Sequence, residues 1–109
     1  DPRCLGTVRY VREELLRHRA VYRYNFDDGL PGREGSFHIC LAWLAEALAM
    51  QGHKSEAKLL CDELIGRMSS LGLLSEQWDP EWGSLGNFPQ AYSHLGVINA
   101  VLALLQETP

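Results

Sequence analysis

Hydrophobic and polar positions follow a helical period along most of this chain, in two different ways. Over residues 7–20, Val8, Val11, Leu15 and Leu16 mark one side while Arg9, Arg12, Glu13, Glu14 and Arg17 mark the other, as in an amphipathic helix. From Ser36 to Gln51 the chain is apolar on nearly every side, with Phe37, Ile39, Cys40, Leu41, Trp43, Leu44, Leu48, Met50 and four alanines. That predicts a helix buried all round, with Trp43 in the core. Residues 55–71 are amphipathic again: Ala57, Leu60, Cys61, Leu64, Met68 and Leu71 recur at three and four, and Glu56, Lys58, Asp62, Glu63 and Arg67 face away. Residues 90–106 predict a second mostly apolar helix carrying Ala91, Leu95, Ile98, Leu102 and Leu105. Gly52 and Gly72 are fitting helix stops, Ser55 a fitting cap, and Pro89 is acceptable in a first turn. No β-type alternation persists, so the pattern predicts an all-α chain of about four helices.

The order amphipathic, buried, amphipathic, buried fits two concentric layers, with inner helices covered and outer ones half wet. A short Gly-containing turn makes 36–51 and 55–71 an antiparallel hairpin, each helix about 25 Å long at 1.5 Å per residue. Segments 21–35 and 72–89 must then emerge at the same end, each leading into an inner helix. This places Arg23, Asp27, Asp28, Arg33, Glu34 and Glu76 around a common mouth, facing the positive ends of the inner helices. A long segment such as 72–89 is usually functional or disordered. Leu73, Leu74, Trp78, Trp82, Leu85 and Phe88 give it apolar groups to pack, which favours order.

Composition narrows the classes of function. A chain of 109 residues with 46% hydrophobic content has room for one domain with a core. A net charge of −4 without a basic run argues against a nucleic-acid or anionic-membrane surface. There is no signal-like start and no apolar run long enough to span a bilayer, although a chain beginning Asp1-Pro2-Arg3 reads as a piece from which targeting segments are missing. A cytoplasmic location is the expectation. Cys4, Cys40 and Cys61 lack ligand spacing, and His18, His38, His53 and His94 form no HxxxH or HxH pair. Neither a metal nor a cofactor is expected.

Arg23-Tyr24 precedes Asp27-Asp28-Gly29, and Glu34-Gly35-Ser36-Phe37 leads into Cys40-Leu41-Ala42-Trp43-Leu44-Ala45-Glu46-Ala47-Leu48. Gly72-Leu73-Leu74-Ser75-Glu76-Gln77, Asp79-Pro80 and Gly86-Asn87-Phe88-Pro89-Gln90-Ala91-Tyr92-Ser93-His94 follow. In these motifs the sequence resembles the C-terminal part of glycoside hydrolase family 15, the group of glucoamylases, glucodextranases and bacterial trehalases. The likeness runs from about residue 21 to 105 and implies part of an α/α barrel of six helical hairpins, the remaining helices lying upstream. It implies an exo-acting, inverting glycosidase for oligo- or disaccharides with a terminal α-linked glucose, with two carboxyl groups on opposite sides of the sugar. The family's catalytic base falls on Glu76. Arg23, Tyr24 and either Asp27 or Asp28 resemble positions that hold the terminal glucose. The general acid lies upstream in the family, so these 109 residues alone are expected to be inactive.

Each assignment has a plainer counterpart. Outside its motif, Glu76 would be a solvated loop glutamate. Glu34 is either a second site carboxylate or a helix-start residue favoured by the dipole. Asp27-Asp28 before Gly29 is ordinary turn chemistry, and Arg23 is either a hydroxyl-binding fork or half of an ion pair. Trp78 and Trp82 either face a sugar ring or anchor their loop. A different class of function is a tetratricopeptide-like protein-binding module, since residues 42–57 resemble one helix–turn–helix unit, but no second copy follows at a period of 34. A third, another α/α-barrel enzyme such as an epimerase or lyase, would rest on His94 as acid or base.

Overall fold

The computed structural model describes residues 1–32 and 34–107; Arg33, expected at the mouth, lies outside the described residues. Helix α1 (Pro2–Tyr10) runs into a π-helical turn at Val11–Leu15, and the antiparallel pair β1 (Leu16–Arg17) and β2 (Ala20–Val21) follows. Strand β3 (Ser36–Phe37) leads into α2 (His38–Met50), and α3 (Lys54–Gly66) returns beside it. Strands β4 (Gln77–Asp79) and β5 (Gly83–Leu85) precede α4 (Ala91–Leu105). The fold is mostly helical, with α2 packed against both α3 and α4.

The core gathers on α2. Leu41, Leu44 and Leu48 share one apolar cluster with Leu60 and Leu64 of α3 and with Val97 and Ala100 of α4. The inward face of α4 is made of small residues: Ser93, Gly96, Val97, Ala100 and Ala103 are buried. A Cβ added to Gly96 would lie 2.6 Å from the Ile39 Cδ1 and 2.9 Å from the Ala42 Cβ, so the two helices approach almost to backbone contact. Small residues therefore set the rotation of α4, and Leu95, Ile98, Leu102 and Leu105 point outward. This reverses the face expected from hydrophobicity alone.

Other expectations are corrected for local reasons. Helix α2 is not covered all round, since Trp43 is 49% and Met50 73% exposed; Trp43 meets Tyr92 edge to face instead of entering the core. The first helix begins at Pro2, with the Asp1 carboxylate accepting from the Arg3 N–H. It ends by residue 15 because His18 and Arg19 take left-handed φ angles of 55° and 54°, which turn β1 back on β2. Helix α3 stops at Gly66, so Leu71 loses the helical phase and lies exposed. Ser55 does not cap α3, which begins one residue before it. The Lys54 Nζ instead donates to the Ala103 and Leu104 carbonyls at 3.2 and 3.0 Å, a cation placed at the negative end of α4. The short strands escaped a reading by alternation because two or three residues carry no measurable period.

The sheet order β3-β4-β5, antiparallel throughout, is what positions the site. Ser36 pairs with Trp78 and Phe37 with Gln77, so the residues leading into α2 are bonded to those leading toward α4. The two long segments do converge at one end. At position 77, where a second tetratricopeptide-like unit would begin, the chain forms this sheet. None of the described helices is long and apolar enough to cross a membrane.

Gly96→Ala tests the close helix contact. Alanine is the better helix former by about 1 kcal/mol, yet overpacking against Ala42 is expected to lower stability of the intact protein by about 1–3 kcal/mol. Adding Ala42→Gly is expected to restore part of it, measured as the urea midpoint at constant slope.

Candidate functional site

The segment Leu74-Ser75-Glu76 is held through its backbone by the starts of both apolar helices. From the α4 side, the Gln90 N–H donates to the Leu74 carbonyl at 3.0 Å, and the Leu74 N–H donates to the His94 Nε2 at 3.1 Å. From the α2 side, the His38 N–H donates to the Glu76 carbonyl at 3.1 Å. The Ser75 carbonyl accepts from both helices, from the His38 Nδ1 and the Ser93 Oγ, each at 2.8 Å. Leu74 and Ser75 are buried, where an unpaired backbone group costs about 1–3 kcal/mol.

Glu76 itself is half-buried and engages the far arm of the loop. Its N–H donates to the Asn87 carbonyl at 2.9 Å, and the Asn87 N–H donates to the Glu76 Oε2 at 3.0 Å. The other carboxylate oxygen, Oε1, has no hydrogen-bond donor among the described residues. A carboxylate held through one oxygen and open at the other can accept a proton from a water.

A cleft of about 480 Å³ lies next to this segment. Tyr24, Asp27, Asp28 and Glu34 line it, and Gln77 reaches it from β4 while the Glu76 carboxylate turns toward residues 86–87. The Gln77 Oε1 also accepts from the Gly35 N–H at 3.0 Å, so this side chain joins the two segments. Sequence reasoning did not single out Gln77, although its position beside Glu76 in the Ser-Glu-Gln motif was the available signal.

The expected sugar-binding residues are largely paired with one another. Arg23 is gripped at two points by Glu34, Nε–H to Oε2 at 3.1 Å and Nη2–H to Oε1, and this bonding raises the guanidinium above its ordinary pKa. Its plane also lies over the Phe37 ring, 4.6 Å from the centroid. The Tyr24 hydroxyl donates to the Asp28 carboxylate, which raises the phenol and lowers the acid. Asp27 and Asp28 each accept a backbone N–H two residues on, from Gly29 and Leu30, so both close turns as their composition suggests. Half-buried Trp78 carries the Arg67 guanidinium 3.8 Å from its ring centroid, which occupies one face as an anchor would. Trp82 is exposed.

The histidines at the helix starts act on the backbone. His94 donates through Nδ1 to the Gln90 carbonyl at 2.6 Å and accepts through Nε2, so both ring nitrogens are occupied. It is a hydrogen-bonded inner residue. His38 must carry its proton on Nδ1, because a carbonyl only accepts; its buried Nε2 finds no partner among the described residues. Burial pushes the His38 pKa below its ordinary value, the Ser75 bond opposes this, and the charge of Arg67 adds to it. Burial raises the Cys40 and Cys61 thiols, and all three cysteines are free. Among the described residues no group of three or more His, Cys, Asp or Glu side chains could hold a metal ion.

The chain is similar to trehalases. It is 46% identical over 110 residues to the trehalase of Mycolicibacterium smegmatis, covering 97% of this chain and 16% of that protein. Identity is 44% to the trehalase of Mycobacterium tuberculosis over the same shares. It is 41% over 100 residues to the trehalase of Thermoplasma acidophilum, with 90% of this chain and 17% of the relative covered. The chain thus spans about a sixth of the length of the curated relatives it matches. No family model and no solved structure matches it.

His38 gives the site a defined response to acid. A buried imidazole with a lowered pKa stays neutral while the unfolded chain protonates below about pH 6.5, so stability falls as pH drops through that value. Denaturant midpoints of the intact protein are expected to decline from pH 7.5 to 5. His38→Asn should flatten that decline by up to about 1.4 kcal/mol per pH unit, the limit for one proton.

Proposed function

We propose that this chain is part of an inverting α-glucosidase of the trehalase kind, belonging to glycoside hydrolase family 15, in which Glu76 is the general base. The observation that carries this reading is the state of Glu76: its carbonyl held by the His38 N–H at the start of α2, its N–H by the Asn87 carbonyl, Oε2 tied to the Asn87 N–H, and Oε1 without a donor among the described residues. A water accepted at Oε1 loses its proton to Glu76 as its oxygen attacks the anomeric carbon. The bond from that carbon to the bridging oxygen breaks, and the leaving glucose takes a proton from a general acid elsewhere in the protein. The identity to trehalases favours trehalose among α-glucosides.

Arg23, Tyr24, Asp27, Asp28 and Glu34 form the wall that receives the terminal glucose. They line or adjoin the cleft and offer charged forks for vicinal hydroxyls. Trp78, whose ring carries the Arg67 guanidinium, does not line the cleft and serves as an anchor of the sheet beside it. Leu95, Ile98, Leu102 and Trp43 form an apolar exterior, which is the surface the remaining barrel helices would cover. The general acid lies outside these 109 residues, so the isolated chain is inactive. Three free thiols accord with work in the cytoplasm.

In the intact protein, Glu76→Gln is expected to lower kcat for trehalose by about 10²–10⁴-fold, the range of general-base catalysis. Binding of the disaccharide by calorimetry should be nearly unchanged. Turnover near the wild-type rate would remove Glu76 from the mechanism.

A further inference from the structure

We propose that Gly86 is a positioning residue for Glu76, resting on the reading of Glu76 as the base: its missing side chain is the space in which the carboxylate lies. An ideal Cβ built on Gly86 would stand 2.8 Å from the Glu76 Oε2, 3.0 Å from its Cβ and 3.2 Å from its Cδ. Real Cβ atoms do not approach oxygen so closely, and the flexible group that must yield is the carboxylate. Gly86 also has φ +75°, which turns the chain so that the next N–H, that of Asn87, points at Oε2. One residue thus supplies both the room and the direction for the bond that fixes the carboxylate.

The bond decides which way the open oxygen faces. With Oε2 bonded to the Asn87 N–H and packed in the space beside Gly86, rotation of the carboxylate about its last torsion is restricted, and with it the position of Oε1. A side chain at position 86 pushes Oε2 away from the Asn87 N–H and lets the group rotate about its last torsion. A base misplaced by about 1 Å loses roughly 10²-fold in rate while the rest of the site still binds.

Gly83 provides an internal control. It has nearly the same backbone, φ +76°, and belongs to the strand that ends beside Gly86, but a Cβ there meets nothing within 4 Å. Substitution at 83 carries the strain of a left-handed backbone without touching the carboxylate.

The test compares Gly86→Ala with Gly83→Ala in the full-length protein, with Glu76→Gln alongside. Gly86→Ala is expected to lower kcat by about 100-fold with KM within about threefold, while Gly83→Ala leaves kcat within about threefold. Equal kcat for the two alanine variants, with Glu76→Gln inactive, would overturn the role of Gly86 and leave Glu76 as the base. Full activity of Glu76→Gln would overturn both. Should the backbone strain of alanine prevent folding, Gly86→Asn and Gly83→Asn repeat the comparison, since asparagine tolerates positive φ but still brings a Cβ. The same split in kcat is expected there, and its absence refutes the proposal.

Discussion

The structure depends on a three-residue stretch of backbone suspended between two helix starts. Leu74, Ser75 and Glu76 present polar groups where two of the three residues are buried, so each group needs a partner. Most partners come from His38 on one helix and from Gln90, Ser93 and His94 on and just before the other, while the Glu76 N–H donates to the Asn87 carbonyl in the loop between β5 and α4. The position of Glu76 therefore follows from how far apart α2 and α4 begin. That separation is set by Gly96 against Ile39 and Ala42, far from the carboxylate in sequence. Core packing and site geometry are one constraint.

The cleft and the segment beside it are built differently. Around Glu76, which does not line the cleft, the backbone is locked, and the three-stranded sheet ties it to the residues leading into α2. In the cleft lining and beside it, short-range pairs prevail: Arg23 with Glu34, Tyr24 with Asp28, and both aspartates with their own turn. These pairs are largely exposed, so water screens them and they contribute little. A locked segment thus lies beside a cleft whose lining is held by exposed, short-range pairs.

Much of this was legible in the sequence where physics is local or motif-bound. Helical period predicted the four helices, and the antiparallel turn at Gly52 predicted that segments 21–35 and 72–89 meet. The facing of α4 was not legible, because close packing of small residues outweighed the larger apolar area of Leu95, Ile98 and Leu102. Trp43 misled for a related reason: an apolar helix reads as buried whether its cover comes from these residues or from others. The small sheet was too short to show alternation. The backbone duties of His38 and Ser93 leave no mark in a pattern of side chains. Gly86 and Gln77 were visible within motifs, but their contacts with the carboxylate and the cleft became apparent only in three dimensions.

A base that polarises water on the face opposite the leaving group makes a stereochemical commitment. Proton NMR of trehalose hydrolysis by the intact protein, recorded before mutarotation, measures it directly. The account predicts equal α- and β-glucose at the earliest times, the β anomer arising from water attack and the α anomer from the leaving sugar. Release of α-glucose alone would mean retention through a covalent intermediate, and would contradict a water-activating Glu76.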